Sequence, residues 1–181
     1  QSAADGMTVD LGGSPLRLVD TPGHARHHHC IWDAATRGWF TGDTFGISYP
    51  EFTSERGRWI FPTSTPVQFE PEVLRASVQR LLAADPACMY LTHYSRVDEV
   101  DRLAAMQLGL LDRMVKLGHS LQAAPDRHRR LKDGLLSIYR QSLAEHRCPI
   151  APATVAELLA VDLELNAQGI GVWLDREQRV R

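Results

Sequence analysis

The chain has 181 residues, with 20 Lys plus Arg against 22 Asp plus Glu and a formal net charge of −2. Near-neutral charge argues against a dedicated nucleic-acid binder, which needs clustered positive charge to neutralise phosphates. With 44% apolar and 23% charged residues, the composition is that of a globular protein, and no apolar run of about 18 residues offers a membrane span.

The first part reads as short strands divided by turns. Met7 to Leu11 is extended and ends at the turn signal Gly12-Gly13. Leu16 to Val19, Cys30 to Asp33 and Gly38 to Thr41 supply three more strands, and Met89 to Leu91 a short buried one. Residues 44–69 hold Pro50, Pro62, Pro66 and scattered aromatics and read as a long loop, a common place for a binding wall. Pro71 opens a helix whose apolar face is Val73, Leu74, Val78, Leu81 and Leu82. Beyond residue 100 the periodicity turns helical. One helix runs from Val97 to near Gly118 and a second from Asp126 to Arg147. Thr154-x-x-Glu157 is a capping box for a third, which Gly169 and Gly171 interrupt. The expected division is therefore 1–99 and 100–181, the latter a helical extension.

Cys30, Cys88 and Cys148 are widely spaced with no C-x-x-C. That points away from a disulfide framework and toward a reducing, cytoplasmic setting, with each thiol a small buried apolar group. No signal-peptide pattern opens the chain. It begins with Gln1 rather than Met, which reads as a start inside something longer.

Three stretches follow strand ends: Asp20-Thr21-Pro22-Gly23-His24, Thr41-Gly42-Asp43-Thr44-Phe45-Gly46 and Leu91-Thr92-His93-Tyr94. Each presents a His or an Asp on a loop, and imidazole and carboxylate are ligand types that zinc, iron and manganese accept. His27, His28 and His29 form a triplet after the first stretch; on a strand only His27 and His29 could share a face. His119, His128 and His146 lie among helical charges and read as solvated.

In order and spacing, these stretches resemble the metallo-β-lactamase fold superfamily, most of all its glyoxalase II-like hydrolase branch. The resemblance covers roughly residues 7–95. It implies an α/β fold, the second half of an αβ/βα sandwich followed by an all-helical extension. It also implies that His24, Asp43 and His93 are metal ligands, with Asp43 bridging two ions and so serving catalysis. The cofactors implied are two divalent metal ions, zinc first, with iron or manganese as alternatives. Asp20 and His29 are then candidates to orient a ligand, Tyr94 to stand beside the reacting group, and Phe45 and Tyr49 to form a substrate wall.

The family's first metal motif, H-x-H-x-D-H, does not occur in the chain. The expected partner is therefore the N-terminal half of the same domain, on the same gene product or a second chain, and the chain alone is expected to be inactive. Half a sandwich would also expose the sheet face its other half should cover. The function implied is a hydrolase using a metal-activated water on a small-molecule ester, thioester, lactone or phosphoester. The alternative is a non-catalytic helical dimerisation module, and homo-oligomerisation through the helices is expected on either reading. Neither nucleic acid nor a membrane is an expected partner.

Overall fold

The computed structural model describes residues 4–180. Strands β1 (Thr8–Leu11), β2 (Ser14–Asp20), β3 (His29–Asp33) and β4 (Gly38–Gly42) form an antiparallel meander. A long segment then leads to helix α1 (Pro71–Leu82), which returns the chain to β5 (Cys88–Leu91), parallel to β4. Strand β6 (Ser95–Val97) closes the six-stranded sheet, in the spatial order of the sequence. Four helices follow: α2 (Val100–Ser120), α3 (Arg127–Glu145), α4 (Pro152–Leu158) and α5 (Ala160–Val180). The expected α/β architecture with a helical extension is what forms.

The strand register explains why one sheet face is covered and the other open. Cross-strand partners share a face. Val19 pairs with Cys30, and Trp32 with Trp39, Trp39 with Met89 and Met89 with Val97. Of these, Val19, Cys30, Trp39, Met89 and Val97 are buried. α1 lies over this face, and the Trp39 indole N–H donates to the Leu81 carbonyl at 3.0 Å. The opposite face carries the row Leu18, Ile31, Phe40 and Tyr90. Phe40 on that row is 44% exposed and stacks on Tyr90 at 4.7 Å, and Met7, Val9 and Leu11 nearby are also exposed. An apolar row of this kind on a sheet is the surface against which a second sheet packs.

The helices differ from the sequence expectation in three places. Ser95–Val97 is a strand, so α2 begins at Val100 rather than Val97. The Thr154–Glu157 capping box does not form: α4 starts three residues earlier, at Pro152, its N-cap being Ala151 without a side-chain bond. What reads as one helix is two, α4 and α5, and α5 continues through Gly169 and Gly171. Burial of Ala167, Ile170 and Leu174 outweighs the modest helix penalty of glycine.

The 44–69 segment is more structured than a loop. Ile47 bridges Phe61, Ser54 bridges Gly57, and Pro50–Phe52 makes one 3-10 turn. Phe45, Phe52, Trp59 and Phe61 are wholly buried. Phe45 is thus a core residue and not part of a substrate wall. The apolar core is continuous from Val19 to Leu174 and includes residues of α2, α3 and α5. No helix among the described residues is long and apolar enough to cross a membrane.

Candidate metal centre

β2, β4 and β5 run in the same direction, because β2 and β4 are each antiparallel to β3 and β5 is parallel to β4. Their C-terminal ends therefore open on one edge of the sheet. The segments leaving those ends carry His24, Asp43 and His93, which is why residues far apart in sequence meet.

The carboxylate of Asp43 lies between the two imidazoles. Its Oδ2 is 3.5 Å from His24 Nε2 and its Oδ1 is 3.6 Å from His93 Nε2. His24 Nδ1 lies 3.1 Å from the Thr63 carbonyl. A carbonyl only accepts, so Nδ1 carries a proton and Nε2 is the ring atom turned toward a carboxylate oxygen. At 3.5 Å this contact is too long for a good hydrogen bond. Asp43 Oδ1 is buried and has no hydrogen-bond partner. Buried acceptors left this way call for a cation or a further donor.

The separations fit a metal. Two ligands about 2.1 Å from one tetrahedral ion stand about 3.4 Å apart, close to both observed values. With one oxygen facing each imidazole, Asp43 forms one carboxylate–imidazole donor pair with His24 and another with His93. Among the described residues no group of three or more His, Cys, Asp or Glu side chains converges on one point. Two donors per position fall short of the three or four that zinc sites use.

His24 is 8% exposed and is gripped on both sides by one segment. Thr63 takes its ring proton, and the Thr65 hydroxyl donates to its carbonyl at 2.7 Å. That segment is fastened to α5: Asn166 Oδ1 accepts from the Ser64 amide at 2.8 Å, and Asn166 Nδ2 donates to the Pro62 carbonyl at 3.3 Å and to Tyr139 Oη at 2.9 Å. The Thr-Pro-Gly-His turn is equally tight. Gly23 has φ +125°, and a Cβ there would lie 2.2 Å from the Leu74 backbone nitrogen. Position 23 therefore accepts only glycine while α1 stays where it is.

His28 organises the Asp43 segment. Its Nε2 accepts from the Asp43 amide at 3.1 Å, and its Nδ1 faces the hydroxyls of Thr44 at 3.0 Å and Thr21 at 3.3 Å. Burial, with the neighbouring His24, lowers its pKa to about 4. Gly42 makes room: its φ is +50°, and a Cβ would lie 2.4 Å from His28 Nε2. Gln107 of α2 completes the support by donating to the Thr44 carbonyl at 2.9 Å.

His28 was not among the residues the sequence singles out, because treating the triplet as strand puts His27 and His29 on one face. β3 begins only at His29, so His28 is free to turn inward. His29 is exposed and pairs with Asp20 across β2 and β3. With Asp5 and His27, these two line a separate shallow cleft. Among the described residues no hydrogen bond or ion pair joins them to His24 or Asp43. Tyr49 and Tyr94, in contrast, line the cavity that holds His24, Asp43 and His93, with a volume of about 500 Å³. Cys30 is buried beneath the site, its thiol pushed up to about 11 by burial. His119 and His128 are about half exposed, as expected. His146 is not solvated: it is 3% exposed, its Nε2 is 3.0 Å from the Gly57 carbonyl, and burial lowers its pKa.

A sheet of this order, with His, Asp and His at the ends of co-directional strands, is an α/β fold with a candidate metal centre at one sheet edge. Residues 4–93 match the family model described as the metallo-beta-lactamase superfamily, and the chain is a metallo-β-lactamase-fold protein. Over 90 residues it is 38% identical to a hydroxyacylglutathione hydrolase from Acidiphilium cryptum (strain JF-5), a match covering 49% of this chain and 30% of that protein. Over 84 residues it is 32% identical to a metallo-beta-lactamase fold-containing protein from Sulfurisphaera tokodaii, covering 46% of this chain and 28% of that one. The crystal structure of a metallo-beta-lactamase family protein from Thermus thermophilus superposes with a TM-score of 0.61 at 15% identity, over 97% of this chain and 49% of that chain. The chain thus spans less than a third of the curated relatives and about half of the structural neighbour.

Proposed function

We propose that this chain supplies one side of a two-metal hydrolytic centre. His24 serves one ion, His93 the other and Asp43 both. The remaining donors come from the N-terminal half of the same fold, carried by the same gene product or a second chain, which packs on the open Leu18–Ile31–Phe40–Tyr90 face. The observation that carries this reading is Asp43 itself. Its two oxygens face two different imidazoles, and one of them has no other partner.

Two divalent ions, zinc first with iron or manganese as alternatives, supply Lewis acidity when bound and bring the pKa of a coordinated water toward about 7. The chain's own residues do the rest. Thr63 fixes the His24 tautomer, His28 fixes the Asp43 backbone, and the cavity beside them admits the substrate. An ester, thioester, lactone or phosphoester suits such a centre, and the thioesterase likeness favours an acyl substrate. The helical-module alternative draws little from these helices, whose apolar faces pack on one another, on α1 and on the aromatic residues of the 44–69 segment.

The test is metal analysis and ester or thioester turnover of the protein carrying both halves, with and without Asp43→Ala. Loss of bound metal together with turnover is expected. Unchanged turnover in the variant would sink the proposal.

A further inference from the structure

Helix α5 contributes a second carboxylate to the cavity that holds His24, Asp43 and His93. Asp162 lies in its first turn and is 6% exposed. The Tyr49 hydroxyl donates to its Oδ2 at 2.9 Å. The Tyr49 ring is held against Tyr94, at 4.6 Å between centroids, and against Phe61 at 6.2 Å. Burial raises the Asp162 pKa above its ordinary value, while the bond from Tyr49 and the field of His93 pull it back. Its neighbours from α5 on the cavity wall are apolar, Val161 at 68% and Leu165 at 36% exposure, while Thr63, Ser64 and Thr65 line another part of the wall. Exposed apolar side chains around one buried, oriented polar group are the usual make-up of a ligand pocket.

None of this is needed to hold the Asp43 centre. Asn166, one turn further along α5, already fastens the helix to the segment that grips His24. An acid in an apolar wall would be costly unless something repaid its desolvation. Tyr49 donates to one oxygen and the Asp162 backbone amide also bonds the carboxylate. A carboxylate has about four acceptor sites, so capacity remains for a donor on a ligand.

We infer that the Tyr49–Asp162 pair is the specificity element of this pocket, selecting acyl substrates whose chain ends in an ammonium or hydroxyl group and disfavouring those that end in a carboxylate. The acyl chain lies along Val161, Leu165 and Tyr94. Asp162 receives the terminal donor, and like-charge repulsion turns away a terminal carboxylate. This rests on the hydrolase reading for the identity of the substrate, though not for the binding preference.

The experiment uses the protein carrying both halves and the p-nitrophenyl esters of ω-aminohexanoic, ω-hydroxyhexanoic, hexanoic and adipic acids. The matching amides serve as ligands, titrated by NMR into chelated protein. Expected is a preference for the ω-ammonium over the ω-carboxylate compound of about tenfold or more in both assays, the scale of one charge-assisted hydrogen bond. Asp162→Asn keeps a partner for Tyr49 and should remove most of that preference. Tyr49→Phe keeps the carboxylate and should keep the sign of the preference. Equal affinity of wild-type protein for the ω-ammonium and ω-carboxylate amides overturns the inference, as does an unchanged preference in Asp162→Asn. If Asp162→Asn does not fold, the wild-type order decides. If no ester is hydrolysed, the hydrolase reading falls and amide binding decides this one separately.

Discussion

The backbone amide of Asp43 donates to Nε2 of His28 at 3.1 Å. The carboxylate that faces two imidazoles is therefore aimed by a third imidazole, one that can accept only while Nε2 is unprotonated. Replacing His28 with Gln retains an acceptor near that position, and replacing it with Ala does not. In the protein carrying both halves, His28→Ala should weaken metal affinity by about ten- to a hundredfold, the usual effect of losing a group that orients a ligand. His28→Gln should recover much of it. Competition against a chelating dye reads the difference, and equal affinity in the two variants would show that the bond does not matter.

The same residue gives a pH dependence. His28 has a pKa of about 4 in the fold against an ordinary 6.5. Between those values the unfolded chain binds a proton that the folded chain does not, so stability falls as pH falls and is fully retained above about 6.5. The expected loss is on the order of 2 kcal/mol, reduced from the full linkage value because the ring is partly solvent-exposed. Urea unfolding of chelated protein at pH 7 and pH 4.5 measures it. His28→Gln should lose less over that interval, and an equal loss would assign the dependence to other groups.

Gly42→Ala should act through the same imidazole. The new Cβ would lie 2.4 Å from His28 Nε2, on a backbone with φ +50°. Strain and displacement of the ring together should cost about 2 kcal/mol or more. Metal affinity should drop as in His28→Ala. A variant of wild-type stability and affinity would mean that the ring has other room.

Asn166 couples the helical extension to the site. Asn166→Leu strands the Ser64 amide and the Pro62 carbonyl and removes one donor from the Tyr139 hydroxyl, which keeps its bond to Met114 Sδ. Leaving such groups unpaired should cost about 2–4 kcal/mol. Because Thr63 and Thr65 grip His24, the ion at His24 should be lost more readily than the ion at His93. Thermal melting and cobalt titration read the two effects. Equal weakening of both positions would indicate general destabilisation alone.

Much of this was legible in the chain before folding. Short strands separated by turn residues, the Pro71 helix and the helical periodicity beyond residue 100 all form. So does the meeting of His24, Asp43 and His93, because strand-end motifs depend on local turn chemistry and on strand direction. What was not legible depends on side-chain direction at single positions. His28 sits one residue before β3 and escapes the alternation of a strand. Phe45 looks like a wall residue by composition but points into the core. His146 lies among charged neighbours in sequence, yet its ring is covered on folding. Asp162 and Asn166 belong to a helix whose inward face is set by packing against residues 62–66, far earlier in the chain, and no local pattern marks them.

Metal stoichiometry in single variants of the protein carrying both halves tests the bridging role of Asp43 most directly. Cobalt or zinc bound per chain would be counted for wild type, His24→Ala, His93→Ala and Asp43→Ala. Two ions are expected in wild type, loss of mainly one in each His variant, and severe loss of both in Asp43→Ala. Two tightly held ions in Asp43→Ala, or none in wild type, would contradict a carboxylate shared between two metals.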